Sequence, residues 1–396
     1  MRPAKAAAAL VAASLGAGAW HILRNAAPPS FDDAWYLETS FHLFHALKRG
    51  LTPFASEYVS AFRIKAPLVS LVPLPLYALF GAGERTAVFA SLVAHGAACA
   101  AVFAAGRALW PDHPRRDAIA ALAAAITAIV PLLYGTSRYF LVEPVLTALV
   151  AAAAWRVATA REGRTPGVLL GFGLLAKIIF PLYLSGPIWL RRKELRPHIK
   201  TALFIAVPLA ATWYAFNLPY VLGFAWSAGF GKIAADYGST SAVPARIMSY
   251  AALLFGGALS WPLSASMLGV IAAAKARRER LDDGSRMALA WAAPLAIFAV
   301  GVNQEIRFAA PALPAFALLA ARAAMSFDSR LARASAAAAL LGCGTYVFIR
   351  QTFLVPPENA LPWCGAPSSD PGWDRDALVT MASEGGAKPK SMTVCK

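Results

Sequence analysis

Asp32 and Asp33 stand side by side in Ser30-Phe31-Asp32-Asp33-Ala34-Trp35-Tyr36, directly after an apolar amino-terminal segment. Carboxylates are costly beside hydrocarbon, so a pair held there points to proton or cation chemistry. Glu143 is a third acid, in Ser137-Arg138-Tyr139-Phe140-Leu141-Val142-Glu143-Pro144, at the edge of another apolar stretch. Without a partner it would take up a proton, so a cation or a metal belongs beside it; an ion pair with Arg138 is one way to meet that need. Three further cations sit in apolar surroundings: Lys65 in Lys65-Ala66-Pro67-Leu68, Lys177 after Gly171-Phe172-Gly173-Leu174-Leu175-Ala176, and Arg307 after Asn303-Gln304-Glu305-Ile306. A phosphate arriving from the lipid would find them as charge partners; the alternative is that long side chains simply reach for the headgroups. Glu38, His42 and His45 share one helical face. Their spacing could seat a divalent ion, or the three could be a solvated polar face; Asp32, Glu143 and His42 are a second possible ligand set.

The elements that must position these groups are membrane helices. Hydrophobic residues make up 58% of the 396, only 15% are charged, and the mean hydropathy is +0.54, which excludes an ordinary soluble domain. No strand-like alternation of polar and apolar residues accompanies this, so a barrel is excluded and an all-α polytopic membrane protein is expected. About eleven spans are predicted, near 5–23, 86–108, 118–134, 142–160, 166–176, 178–190, 199–216, 249–274, 287–302, 308–325 and 334–349. The glycines, Lys177 and Pro181 divide 166–190 into two short segments that turn at Lys177. The basic amino terminus with its Ala-rich run reads as a retained anchor rather than a cleaved leader.

Basic residues set the orientation. The loops 107–116, 156–164, 191–200, 275–286 and 322–333, with Arg2 and Lys5, carry 21 of the 37 Lys and Arg residues and fall on one side, which is expected to be cytoplasmic. The formal charge of +16 therefore faces anionic headgroups, and no nucleic-acid motif accompanies it. The acidic pair and the carboxy terminus are then external. On that side lie the loop 24–85, the turn 135–144 and the loop 217–248. In 24–85, Leu37, Phe41, Phe44 and Leu47 give one apolar helical face, expected to lie on the membrane with Trp35 and Tyr36 at the headgroups. The run from Lys65 to Gly81 is assigned as a second interfacial or re-entrant helix, because a crossing there would reverse every later basic loop. Residues 1–350 are expected to form the membrane domain and 351–396 a short external tail, in which Cys364 and Cys395 could pair; Cys99 and Cys343 fall within spans.

The order of these features resembles the GT-C membrane glycosyltransferases, in particular the branch of the lipid A aminoarabinose transferases and protein O-mannosyltransferases. Asp32-Asp33-Ala34-Trp35-Tyr36 is similar to an Asp-Glu-x-x-Tyr pattern. Lys65-Ala66-Pro67-Leu68 resembles Lys/His-Pro-Pro-Leu followed by an aromatic residue and Phe-Gly. Arg138 to Pro144 resembles the second acidic loop, Gly171 to Lys177 a Gly-rich segment ending in Thr-Lys, and Arg307 to Pro314 a late Arg-Tyr-x-x-Pro segment. Asp33, Ala66, Glu143, Ala176 and Phe308 depart from those patterns, and an arginine usual in the second span has no counterpart at Val88 or Phe89.

The resemblance implies a transferase of the bacterial inner membrane with its amino terminus cytoplasmic and its site external. The donor is a sugar on a polyprenyl phosphate, and the acceptor is a glycan, lipid or protein. Asp32 is expected as the general base of an inverting displacement, with Asp33 and Glu143 placing the acceptor or a divalent ion. Lys65, Lys177, Arg307 and Arg138 are expected on the donor phosphate, supported by Tyr36. A carrier or flippase for a lipid-linked sugar is the alternative, in which the same cations bind phosphate and the acids couple to protons; a catalytically silent scaffold is a third reading.

Overall fold

Backbone groups in hydrocarbon must find partners within the chain, and this sequence meets that condition with helices throughout. A computed structural model describes residues 2–160, 162–236, 238, 241–276 and 281–369. Among them the sole β-type pairing is an isolated bridge between Gly238 and Asn303.

Helix α1 (Arg2–Arg24) leads into a cluster of shorter helices, α2 (Phe31–Arg49), α3 (Leu51–Ser60), α4 (Leu68–Leu71) and α5 (Leu74–Phe80), before α6 (Glu84–Leu109) returns. Then come α7 (Arg116–Ile129), α8 (Pro131–Thr136), α9 (Val142–Thr159), α10 (Arg164–Ala176), α11 (Phe180–Leu190) and α12 (Arg192–Leu195). The long α13 (Ile199–Phe230) is followed by α14 (Lys232–Asp236), α15 (Val243–Ala252), α16 (Trp261–Ala276), α17 (Asp283–Ala292) and α18 (Pro294–Val300). A 3₁₀ segment, Ile306–Ala312, opens α19 (Leu313–Ser326), and α20 (Arg330–Ile349) is the last long helix.

Small residues bring the central helices together. Ala87, Ala90, Ala98 and Ala105 on α6, Ala120 and Ala123 on α7, and Ala151 and Ala154 on α9 are all at most 5% exposed. Lipid tails are as apolar as leucine, so close backbone approach rather than water exclusion holds such helices together. The apolar surface left outside is carried by α13, where Phe204, Val207, Phe216, Leu222, Trp226 and Phe230 are exposed.

Six helical stretches among the described residues are long and apolar enough to cross a membrane singly: Pro3–Arg24, Glu84–Leu109, Val142–Thr159, Arg192–Phe230, Ile306–Ser326 and Arg330–Leu354. Of the other predicted spans, 166–176 and 178–190 are the short α10 and α11, and the remaining three are interrupted. Pro131 and Pro294 divide 118–134 and 287–302 into α7 with α8 and α17 with α18. The predicted single span 249–274 breaks at Ser260, which adopts a left-handed φ of 71°, and the two arms bend by 103°. The predicted external loop 217–248 starts later than expected, because α13 continues through Pro208 and Pro219 to Phe230. At about 1.5 Å per residue such a helix exceeds the roughly 30 Å of a hydrocarbon core.

The first loop is also better covered than its sequence implied. The apolar face of α2 does not lie open: Phe41 and Phe44 meet the Tyr77 ring of α5 at 5.6 and 5.4 Å, and Ser40 Oγ and Tyr77 Oη are 2.8 Å apart. Nor is the segment after Gln351 a free tail. Residues up to 369 fold back on the bundle, and Cys364 is fully buried. Cys395, its predicted disulfide partner, lies outside the described residues.

At the end of the bundle opposite the first loop, Asp282 ties three helices. It caps α17 by accepting from the Ser285 amide at 2.7 Å, and it accepts from Trp110 Nε1 and Arg322 Nε, each at 2.9 Å. Burial pushes its carboxyl up, but the bonds from Ser285 and Trp110 and the charge of Arg322 outweigh that and hold it below the usual range. Its contribution is therefore present above an ordinary aspartate pKa and is lost on acidification below it. Asp282→Ala should destabilise the detergent-solubilised protein by about 1 kcal/mol or more of cap and bond energy, read as a lower thermal midpoint. Asp282→Asn, which can still cap, should recover much of it; equal midpoints for wild type and the alanine variant would remove Asp282 as a tie.

Candidate active site

Asp32 enters the site as the second residue of α2, in the first turn, where the helix favours a negative charge. Its two oxygens are clamped separately. Lys65 Nζ donates to Oδ1 at 2.8 Å and Arg307 Nη1 donates to Oδ2 at 2.8 Å. Burial pushes the Asp32 carboxyl up, but Lys65 first and Arg307 second outweigh it, so the group stays below the usual carboxylate range. All three side chains are largely covered, with about a fifth of each exposed at most.

Lys65 arrives through a sharp turn. Phe62 and Arg63 both take left-handed φ, 56° and 57°, and the Phe62 ring packs edge-on against Trp35 and Tyr36. Those two rings in turn face the ammonium, at 4.7 Å for Trp35 and 5.3 Å for Tyr36. Tyr36 is buried, and burial, then Asp32 and Glu143, raises its hydroxyl well above the ordinary value, so it remains a donor. Its backbone carbonyl accepts from Ser70 Oγ at 2.9 Å, which fixes α4 to α2.

Arg307 lies in the 3₁₀ segment ahead of α19. Its Nε donates to Glu305 Oε1 at 3.3 Å, and its guanidinium carbon lies 5.5 Å from the Trp363 ring centre. A second pair sits beside the first. Glu143, 2% exposed in the first turn of α9, accepts from Lys177 Nζ at 3.3 Å, and that ammonium lies 4.3 Å from the Phe308 ring centre. Lys177 reaches this position because the chain breaks between α10 and α11, as the sequence predicts. Gly173 is needed for that break: a Cβ there would lie 2.4 Å from the Phe180 ring that closes the corner.

Asp33 has a different task from its neighbour. It is 3% exposed, and its Oδ2 accepts from the Ser30 hydroxyl at 2.9 Å and the Ser30 amide at 3.3 Å, closing the start of α2. Oδ1 is buried without a partner among the described residues. Arg138 is also set apart from the clamp. It neither pairs with Glu143 nor faces Asp32; Nη2 donates to Thr352 Oγ1 at 2.6 Å and Nη1 to the Cys364 carbonyl at 3.3 Å. Sequence reasoning did not single out Glu305 or Trp363. An acid two residues before Arg307 was a usable signal for the first; nothing in 351–369 marked the second.

The donor set does not fit a metal. Among the described residues no three His, Cys, Asp or Glu side chains come together to hold one. Asp32 and Glu143 are each engaged by cations, and His42 sits ten residues along α2, about 15 Å from Asp32 by helical rise, near Glu57 at 3.6 Å.

Burial raises the Asp33 carboxyl to about 6, partly offset by the Ser30 bonds. A folded value above the unfolded one means that the folded state holds the proton more tightly; the benefit is complete below an unfolded aspartate's pKa and is lost as pH rises through about 6. Wild-type thermal midpoints should therefore fall relative to those of Asp33→Asn between about pH 4 and pH 7. Parallel curves would show that Asp33 does not titrate there.

The fold is that of GT-C membrane proteins. The chain is similar to ArnT from Cupriavidus metallidurans bound to undecaprenyl phosphate, with 16% identity and a TM-score of 0.66 over 87% of this chain and 64% of that one. It is similar to the same protein in the apo state, at 17% identity and a TM-score of 0.62 over 81% and 60%. It is also similar to the Archaeoglobus fulgidus oligosaccharyltransferase in complex with Zn and sulfate, at 16% identity and a TM-score of 0.57 over 96% and 56%. The chain thus spans less than two thirds of the length of each of these. No family model and no curated protein matches the sequence. At these identities the likeness establishes the architecture, which is the all-helical, polytopic GT-C fold that the order of sequence features pointed to.

Proposed function

We propose that this protein is a membrane glycosyltransferase that moves a sugar from a polyprenyl-phosphate donor to an acceptor at the external face of the bacterial inner membrane, with inversion. The observation that carries the reading is the Asp32 clamp: one carboxylate held at 2.8 Å by each of two cations, with a third cation on Glu143 alongside. The bound undecaprenyl phosphate of the ArnT structure supports the donor class. The gathering of Arg115, Arg191 and Arg322 at the opposite end of the bundle, where Arg115 bonds the Met325 carbonyl and Arg322 bonds Asp282, supports an external site with both termini placed by the positive-inside rule.

The charges explain how such a site would work. Asp32, Glu143 and Glu305 balance Lys65, Lys177 and Arg307 in the resting state. A donor phosphodiester adds a negative charge and competes with Asp32 for Lys65 and Arg307. As those cations turn to the phosphate, the Asp32 carboxylate loses the partners that keep its proton affinity low, and it becomes a base. It takes the proton from the acceptor hydroxyl or amine while the acceptor atom bonds to the anomeric carbon from the opposite side. The bond from that carbon to the phosphate oxygen breaks, its electrons remain on the phosphate, and Lys65, Lys177 and Arg307 stabilise the second negative charge. Residues 1–350 form the catalytic domain in this reading, and Glu143 places the acceptor, with one oxygen that has no hydrogen-bond partner among the described residues.

Asp32→Asn should cut sugar transfer by about 100-fold or more while binding of undecaprenyl phosphate persists. Lys65→Ala and Arg307→Ala should instead weaken that binding, measured on the purified full chain. Undiminished transfer by Asp32→Asn would remove it as base, and translocation of lipid-linked sugar without transfer would establish a carrier instead.

A further inference from the structure

We propose that the segment 355–368 is a wall of this site and that Trp363 is a positioning residue, holding the Arg307 guanidinium in the orientation in which it meets Asp32. The segment leaves the end of α20, crosses the same end of the bundle as the clamp, and is anchored at both of the clamp's flanks. On one flank, Ser368 N–H donates to Asn25 Oδ1 at 3.0 Å and Ala26 N–H donates to the Ser368 carbonyl at 2.8 Å, on the short link that leads into Asp32. On the other, the Trp363 ring stands 5.5 Å from the Arg307 guanidinium carbon.

Further bonds hold the segment along its length. Leu361 N–H donates to Gln351 Oε1 at 3.0 Å, Ala366 N–H to the Val355 carbonyl at 2.9 Å, and the Cys364 thiol to the Pro131 carbonyl at 3.2 Å. Arg138, expected from its sequence position on the donor phosphate, spends its bonds here: Nη1 on the Cys364 carbonyl and Nη2 on Thr352. Gly135 clears the seat, since a Cβ there would come within 2.9 Å of Cys364 Sγ and 3.1 Å of the Trp363 backbone. Trp363 itself takes a left-handed φ of 61°, a conformation unfavourable for a large side chain, and it is kept only because the surrounding bonds determine it. The outcome of this conformation is a half-buried indole presented to Arg307.

The physical effect follows. An arginine has many rotamers, and the bonds to Glu305, long at 3.3 Å, and to Asp32 hold the edges of its fork and leave its faces to be packed. An aromatic face favours the flat guanidinium and leaves the in-plane N–H groups free to bond Asp32 or, in the function proposed above, a phosphate. Trp363 thus acts through Arg307 and touches no reacting atom.

The test reads Asp32 without any lipid. A carbodiimide reacts with protonated carboxyls, so the pH midpoint of its labelling of Asp32, followed by peptide mass spectrometry on the full chain, reports how firmly Arg307 holds that group. Trp363→Leu should raise the midpoint and Trp363→Phe should restore it; an unmoved midpoint in Trp363→Leu overturns the proposal. Maleimide labelling of Cys364 must remain slow in Trp363→Phe, which shows that the segment is seated. A second measurement rests on the proposed donor. Trp363→Leu should weaken undecaprenyl phosphate binding by about 3- to 20-fold, and should add nothing in an Arg307→Ala background. Additive losses would show that Trp363 does not act through Arg307. A shifted midpoint in a protein whose wild type binds no undecaprenyl phosphate would sink the donor assignment and leave the positioning role standing.

Discussion

The structure is organised around one half-buried carboxylate that cannot be left alone. Asp32 sits where hydration is poor, and its charge persists only because Lys65 and Arg307 each bond one oxygen at 2.8 Å. Breaking such a set by removing one partner leaves an uncompensated charge, a far larger penalty than the net gain from the intact set. Three separated parts of the chain must therefore meet: the start of α2, the turn after α3, and the 3₁₀ entry to α19. Each local irregularity serves that meeting. The paired left-handed residues Phe62 and Arg63 return Lys65 to α2, and the 3₁₀ winding of 306–312 turns Arg307 toward it.

The second pair extends the same logic. Glu143 is more deeply buried than Asp32 and is bonded by one cation, Lys177 at 3.3 Å, which reaches it because α10 stops before it. The two pairs share aromatic walls: Trp35 and Tyr36 over Lys65, Phe308 over Lys177, and Trp363 over Arg307. Aromatic faces solvate a cation without competing for its hydrogen-bond donors, which suits groups that, in the proposed reaction, exchange one anionic partner for another.

Much of this was legible in the sequence for a single reason. In a chain that is 58% hydrophobic, a charged residue away from the basic loops is expensive, so Asp32, Lys65, Glu143, Lys177 and Arg307 identified themselves by context. The helical class and the break at Lys177 followed from composition and from proline and glycine. What stayed hidden depended on tertiary contact. Asp33 and Asp32 are indistinguishable as neighbours in sequence, yet one caps a helix and the other is clamped by cations. Arg138 looked like a site cation because it shares a turn with Glu143, but its hydrogen-bond partners are more than 200 residues away. Proline proved an uneven guide: α13 continues through two prolines, while α7 and α17 stop at one each. Trp363 carried no signal, since an aromatic residue in a polar, Pro-rich stretch has no period to place it.

The division of labour between the adjacent acids shows how one helix start serves two ends. Ser30 supplies two donors to Asp33, and that capping arrangement fixes the direction in which the first turn of α2 leaves the link from α1. Once that direction is set, the preceding residue in the turn points away from the cap, and Asp32 is delivered to Lys65 and Arg307. A change at Asp33 therefore acts on Asp32 through geometry as well as charge, because Asp32 is among the groups that raise Asp33. The same coupling runs in reverse. If a phosphate draws Lys65 and Arg307 away from Asp32, its uncompensated charge bears on Asp33, whose carboxyl is raised to about 6 and can take up a proton without leaving Ser30. In the proposed function, two neighbouring carboxyls of different proton affinity would let the site accept an incoming anion without breaking the helix start that positions it.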